Sequence, residues 1–160
     1  MRHFPNFEQM LKNGDLDIQT SINEHIKKYF LKEHGLYPYY EFSQEYMHMF
    51  EKIVNYCYEN NINIYVYIPP VYVEHFHAFK EAGLKKEFEN FKRELVKITD
   101  FIDFTGVNSI TTNKNNYWDS SHLRAEHTEI VMAKLIHNTD AEGHQDFGVM
   151  VTKDSIEEHL

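Results

Sequence analysis

Apolar residues recur along this chain with two different periods, and the switches between them predict its elements. Over 44–60, Tyr46, Phe50, Ile53, Val54 and Cys57 return at steps of three and four, the spacing of one helical face turned toward a core. Ser43 stands where a cap for that helix belongs. The stretch 85–97, carrying Phe88, Phe91 and Leu95 and followed by Ile98, repeats the pattern, and Leu123, Ile130, Val131 and Leu135 do so after His122. Between the first two helices lies INIYVYIPP (62–70), a β-branched and aromatic run with almost no charge. That composition predicts a strand covered on both faces, as in a parallel sheet. Pro69 and Pro70 stop it, since neither can donate a ladder hydrogen bond. DFIDFT (100–105) reads as a second short strand, and the tail suggests another at 147–151.

The rest of the pattern is weaker. A short helix is expected over Phe7–Lys12, ending at Gly14. Ser21-Ile22-Asn23-Glu24 fits a capping box, which would open a helix running to about His34. GLYPYYEF (35–42) is an aromatic loop, VYVEHFHAFKEAGL (71–84) a loop and short helix, and GVNSITTNKNN (106–116) a polar loop. Helix, strand, helix, strand, loop, helix argues for α/β layers with a short parallel sheet. We read residues 1–160 as one domain: a helical segment over 1–41, then an α/β body over 42–152. Ligands in such sheets collect beyond the carboxyl ends of the strands, where the double-proline turn and the 106–122 loop would share one rim. So narrow a sheet leaves an open edge, predicting either self-association there or cover from the N-terminal helices.

Composition narrows the classes. With 42% hydrophobic residues and 15% aromatic ones the chain is not of a disordered type. A formal charge of −9 repels phosphates, which argues against nucleic acid as a partner. The single cysteine, Cys57, excludes an internal disulfide and falls in an apolar phase. There is neither a membrane-length apolar run nor a leader-like opening, so the chain as written reads as cytoplasmic. A longer parent protein could be exported or membrane-anchored.

The densest chemistry is YWDSSHLR (117–124). A histidine acting as a general base needs its ring held in one tautomer, usually by a carboxylate on Nδ1. Asp119, three residues before His122, can do this across a loop. The same residues also suit a helix cap, with Asp119, Ser120 or Ser121 capping a helix from 123 onward. Spacing alone leaves both readings open. Tyr117 and Trp118 could stack on a sugar ring or wedge the loop into the core. His75 and His77, beside Glu74, could share a metal or line a substrate pocket, but no third metal ligand is identifiable and no cofactor motif is present.

The block FIDFTGVNSITTNKNNYWDSSHLRAEHTEIVMAKLI is similar to the closing block of the SGNH/GDSL hydrolase superfamily. It most resembles the membrane-associated branch of polysaccharide O-acetyltransferase-like and D-alanine-transfer-like proteins. FEKIVNYCYENNINIYVYIPPV resembles the unit before it, and the similarity covers about residues 42–152. The resemblance implies part of a three-layer, flavodoxin-like α/β/α fold, with His122 as catalytic base, Asp119 as its orienting partner and an acyl ester as substrate. Nothing here matches the family's Gly-Asp/Asn-Ser nucleophile turn or its oxyanion donors. The expectation is therefore the carboxyl-terminal part of an esterase or acyltransferase that acts on acyl esters, those of surface polysaccharide among them, and is inactive alone; the alternative is a non-catalytic module binding glycan or protein through the aromatic rim.

Overall fold

The computed structural model describes residues 7–31, 35–137 and 142–160. Among the described residues, seven helices and three short strands make a mixed α/β structure: α1 (Phe7–Lys12), α2 (Ile18–Phe30), α3 (Gln44–Glu59), β1 (Tyr67–Ile68), α4 (Val73–Glu81), α5 (Lys85–Ile98), β2 (Phe101–Asp103), α6 (Thr128–His137), β3 (Val149–Val151) and α7 (Ile156–His159). The sheet order is β1-β2-β3. Strand β1 runs parallel to β2, with Tyr67 opposite Ile102, whereas β3 is antiparallel to β2, with Phe101 opposite Val151. The sheet is therefore mixed, where the sequence suggested a parallel one. A tail strand can return from α6 in either direction, and its alternation does not specify which.

Three apolar clusters hold the layers together. Met47, Ile68, Leu95, Val96, Phe101, Val151 and Ile156 fill one face of the sheet under α3, α5 and α7. Ile102, Phe104, Ile110, Val131 and Phe147 fill the other, with Leu123, Ile130 and Leu135 from the expected stripe packed against them. Ile18 and Ile22 of α2 meet Tyr72 and Tyr117 in the third.

Helix α2 starts earlier than the capping box suggested. Its cap is Asp17, whose carboxylate accepts from the Thr20 amide at 2.8 Å, while Ser21 lies inside the helix and donates to the Trp118 carbonyl at 2.9 Å. Burial decides this, because an earlier start brings Ile18 and Ile22 onto one inward face. The expected end at His34 falls outside the described residues. In α3 the cap is Ser43 as expected, and of the expected stripe Val54 is buried and Phe50 packs against the core, but Met47 joins them while Tyr46 and Ile53 point outward. Both phases of this helix are apolar, so periodicity alone could not choose between them.

The 62–70 run also departs from expectation. Only Tyr67 and Ile68 pair, and Ile62, Tyr65 and Tyr67 are exposed while Ile68 is buried. It is an edge strand with one bare face. Among the described residues, α2 packs on α4 and on the loop at the carboxyl ends of the strands. Among the described residues no helix is long and apolar enough to cross a membrane.

One buried ion network ties α5 and α7 to β2. Asp103, 2% exposed, accepts from Lys92 Nζ at 2.6 Å, from His159 Nε2 at 2.7 Å, and from the amide and hydroxyl of Thr105. Burial by itself would push this carboxyl up. The His159 hydrogen bond and the Lys92 charge outweigh that and hold it well below the usual carboxylate range.

Gly148 precedes β3 with φ +84°, and a Cβ there would lie 2.5 Å from Cε1 of the buried Phe104 ring. Gly148→Ala combines left-handed backbone strain with overpacking and should remove about 3 kcal/mol of stability, read as a lower urea midpoint. A midpoint within error of wild type would show that the ring can move aside.

Candidate active site: an aspartate-clamped imidazole on a histidine cluster

The site forms where two loops meet at the carboxyl ends of β1 and β2. After Pro69 and Pro70 the chain turns into α4, and the Tyr72 amide donates to the Ser120 carbonyl at 3.0 Å. The neighbouring Val73 amide donates to the Thr111 carbonyl. The double-proline turn and the 106–122 loop thus share one rim, as expected.

Residues 117–123 form a tight loop closed by an antiparallel bridge between Tyr117 and Leu123 and by a bond from the Trp118 amide to the His122 carbonyl, 2.9 Å. Inside it, Asp119 Oδ1 accepts from the amides of Ser121 and His122, at 2.8 and 3.0 Å. Its Oδ2 lies 2.7 Å from His122 Nδ1. The residue therefore makes both kinds of contact that spacing left open, with one correction. It caps a loop turn and not a helix, because Leu123 is not helical and α6 begins only at Thr128, after a 3-10 turn over Ala125–His127.

This geometry has a direct chemical result. An ionised carboxylate on Nδ1 favours the Nδ1–H tautomer and leaves the lone pair on Nε2. The His122 side chain is 66% exposed, against 18% for Asp119, so the ring projects from the rim while its partner sits below. Burial tends to raise the Asp119 carboxyl, but hydrogen bonds from the Ser121 amide and the His122 ring prevail and lower it.

Beneath the dyad lies a cluster whose third member, His25, sequence reading missed. Ser120 is fully buried, and its hydroxyl sits 2.9 Å from His25 Nδ1 and 2.8 Å from His75 Nδ1. With one hydrogen and two imidazole neighbours, it donates to one ring and accepts from the other. His25 Nδ1 also stands 3.4 Å from Asp119 Oδ1. Burial lowers His25, and it pushes His75 down to about 4. The signal for His25 was present: it follows Ile18 and Ile22 by seven and three residues on a face that is otherwise apolar.

No family model, curated protein or solved structure matches the chain.

The other sequence-derived site residues separate. His75 and His77 lie on α4, where a two-residue step turns about 200° around the axis; His75 is buried and His77 exposed. They cannot share a metal or one pocket, and Glu74 accepts from Gln19 Nε2 instead. His75 borders a small apolar cleft of about 180 Å³, with Tyr37, Pro69, Val71 and Phe76. Tyr117 is completely buried against Ile18, Ile22 and Tyr72, so its ring wedges the loop and is closed to a sugar. Trp118 stacks on Phe7 at 5.7 Å and carries the Arg124 guanidinium 4.2 Å from its ring centroid.

No described hydroxyl is hydrogen-bonded to the His122 ring. Ser120 faces inward to His25 and His75, which corrects its reading as a cap. Ser109 offers a rival serine, histidine and acid set, with His144 Nδ1 at 2.8 Å and Asp146 Oδ1 at 2.5 Å. Both partners reach the serine oxygen itself, so the acid does not orient the imidazole as a hydrolytic triad requires.

Proposed function

We propose that the chain is the carboxyl-terminal portion of an SGNH-like esterase or acyltransferase, supplying the base and its orienting acid to a serine carried on sequence outside these 160 residues. The observation that carries this reading is the 2.7 Å contact between Asp119 Oδ2 and His122 Nδ1, with the ring exposed. In the reaction, Nε2 of His122 takes the serine proton as the oxygen attacks the acyl carbon. Asp119 stabilises the resulting imidazolium, and the same proton then passes to the departing alcohol. The acyl ester belongs to a small molecule or a surface polysaccharide. The glycan-binding alternative has less support, because Tyr117 is buried and the Trp118 ring is engaged by Phe7 and Arg124.

Nitrogen-15 imidazole NMR tests the dyad directly. His122 should hold its proton on Nδ1 in the wild type and shift it to Nε2 in Asp119→Asn, where the amide can donate to Nδ1. A wild-type ring protonated on Nε2 would remove the base from the proposal. Hydrolysis of p-nitrophenyl acetate by the chain alone should stay near the background of free imidazole. Robust turnover that survives His122→Ala would sink the reading.

A further inference from the structure

We propose that His25, Asp119 and His122 form a binding site for a divalent transition-metal cation of the zinc type. The three residues come from α2 and from the 117–123 loop, 94 positions apart in sequence at their closest. One donor atom from each lies within 4.8 Å of the other two. The set is therefore chemically matched to zinc: two imidazoles and one carboxylate, with bonds of about 2.0–2.2 Å.

The spacing is informative. Two ligands on a tetrahedral zinc at such bond lengths stand about 3.4 Å apart. His25 Nδ1 and Asp119 Oδ1 are separated by 3.4 Å, which is long for an N–H···O hydrogen bond but suits an edge of that tetrahedron. His122 Nδ1 lies 2.7 Å from the other carboxylate oxygen, Oδ2, and must open by about 0.7 Å to match that edge. Its exposed ring, 5.5 Å from that of His25 between centroids, is free to do so.

The surroundings fit a cation as well. His25 Nδ1 and the Asp119 carboxylate face one another across 3.4 Å, so an imidazole nitrogen and a carboxylate oxygen converge on the same space. When the cation takes His25 Nδ1, the Ser120 hydroxyl turns its hydrogen to His75 Nδ1, 2.8 Å away, and no buried group is left unpaired. His75 and Ser120 then support the site from behind, the outer-shell arrangement usual for metal-bound histidine. The fourth position opens to solvent beside His122.

Occupancy has a consequence that rests on the function proposed above. Coordination at Nδ1 places the His122 proton on Nε2, where the ring can no longer accept one. The cation and the general base exclude each other, so zinc would act as an inhibitor of the assembled enzyme. Binding itself does not depend on that reading.

The experiment is calorimetric titration of Zn²⁺ into untagged, chelator-treated protein, with Co²⁺ absorption as a second probe of coordination. One site should dominate, and His25→Ala and His122→Ala should each weaken it about tenfold or more. His77→Ala, on the exposed face of α4, should leave it unchanged. His25 lies partly in the core, so circular dichroism must show that its variant is folded; His122→Ala alters an exposed side chain and decides the matter alone if it is not. The proposal is overturned if folded His122→Ala binds Zn²⁺ as tightly as wild type, or if wild type shows no discrete site. A failed titration alongside an Nδ1–H tautomer of His122 by NMR would dismiss the metal and leave the hydrolase reading standing.

Discussion

Lys92→Met is expected to lower the unfolding free energy by about 3–5 kcal/mol, the usual loss when one partner of a buried ion pair is removed. The Lys92 ammonium is 2.6 Å from Asp103, packs over the Phe88 ring at 4.4 Å and is almost fully enclosed. Methionine fills most of its volume, so the loss is electrostatic: Asp103 keeps His159 and Thr105 but loses its fixed charge partner. Adding Asp103→Asn should recover part of the stability, because a neutral amide needs no counter-charge and still accepts from Thr105. Urea unfolding reads both effects as a midpoint shift at constant slope. A single-variant loss below about 1 kcal/mol would mean that water reaches the pair and screens it as on a surface.

The second large effect is acid destabilisation centred on His75. An ordinary imidazole titrates near 6.5. Burial, helped by the neighbouring His25 and opposed by Asp119, takes His75 down to about 4 in the folded state. The unfolded chain therefore binds this proton first as pH falls. Stability is full above about pH 6.5, declines between there and about pH 4, and is flat below for this group, a loss on the order of 3 kcal/mol. His25 is lowered too and adds in the same direction. Asp103 acts in a separate window: its depressed carboxyl contributes above the ordinary carboxylate range and gives way only at far lower pH. Urea midpoints at pH 7, 5.5 and 4 should fall steeply for wild type and less steeply for His75→Gln, which keeps a polar contact to Ser120 without a titrating ring. Equal slopes in the two proteins would show that His75 is not the source.

Much of this arrangement was legible from residue order. Local rules suffice for the helix capped by Ser43, for the α5 stripe of Phe88, Phe91, Leu95 and Ile98, for the Phe101–Asp103 strand, and for the contact between Asp119 and His122. Each of these depends on neighbours within a few residues. What stayed hidden depends on partners far along the chain. The phase of α3 is set by which of two apolar faces meets Leu95 and Phe101, and the bare face of β1 by what does not pack there. His25 joins Ser120 across 95 positions, and His159 reaches Asp103 across 56. No spacing rule spans such distances. Ser120 was read as a cap because serine before an amphipathic stretch usually is one; its burial between two rings follows from where α2 and α4 dock.

The Asp119 carboxylate fastens two backbone amides and one ring at once, and this welds architecture to reactivity. Truncating it to alanine unties the hairpin and misdirects the proton in a single stroke, so a kinetic defect in that variant would say nothing about which loss mattered. Asparagine keeps an oxygen for the amides while spoiling only the imidazole wiring, and the difference between the two substitutions measures how far form and reactivity can be prised apart.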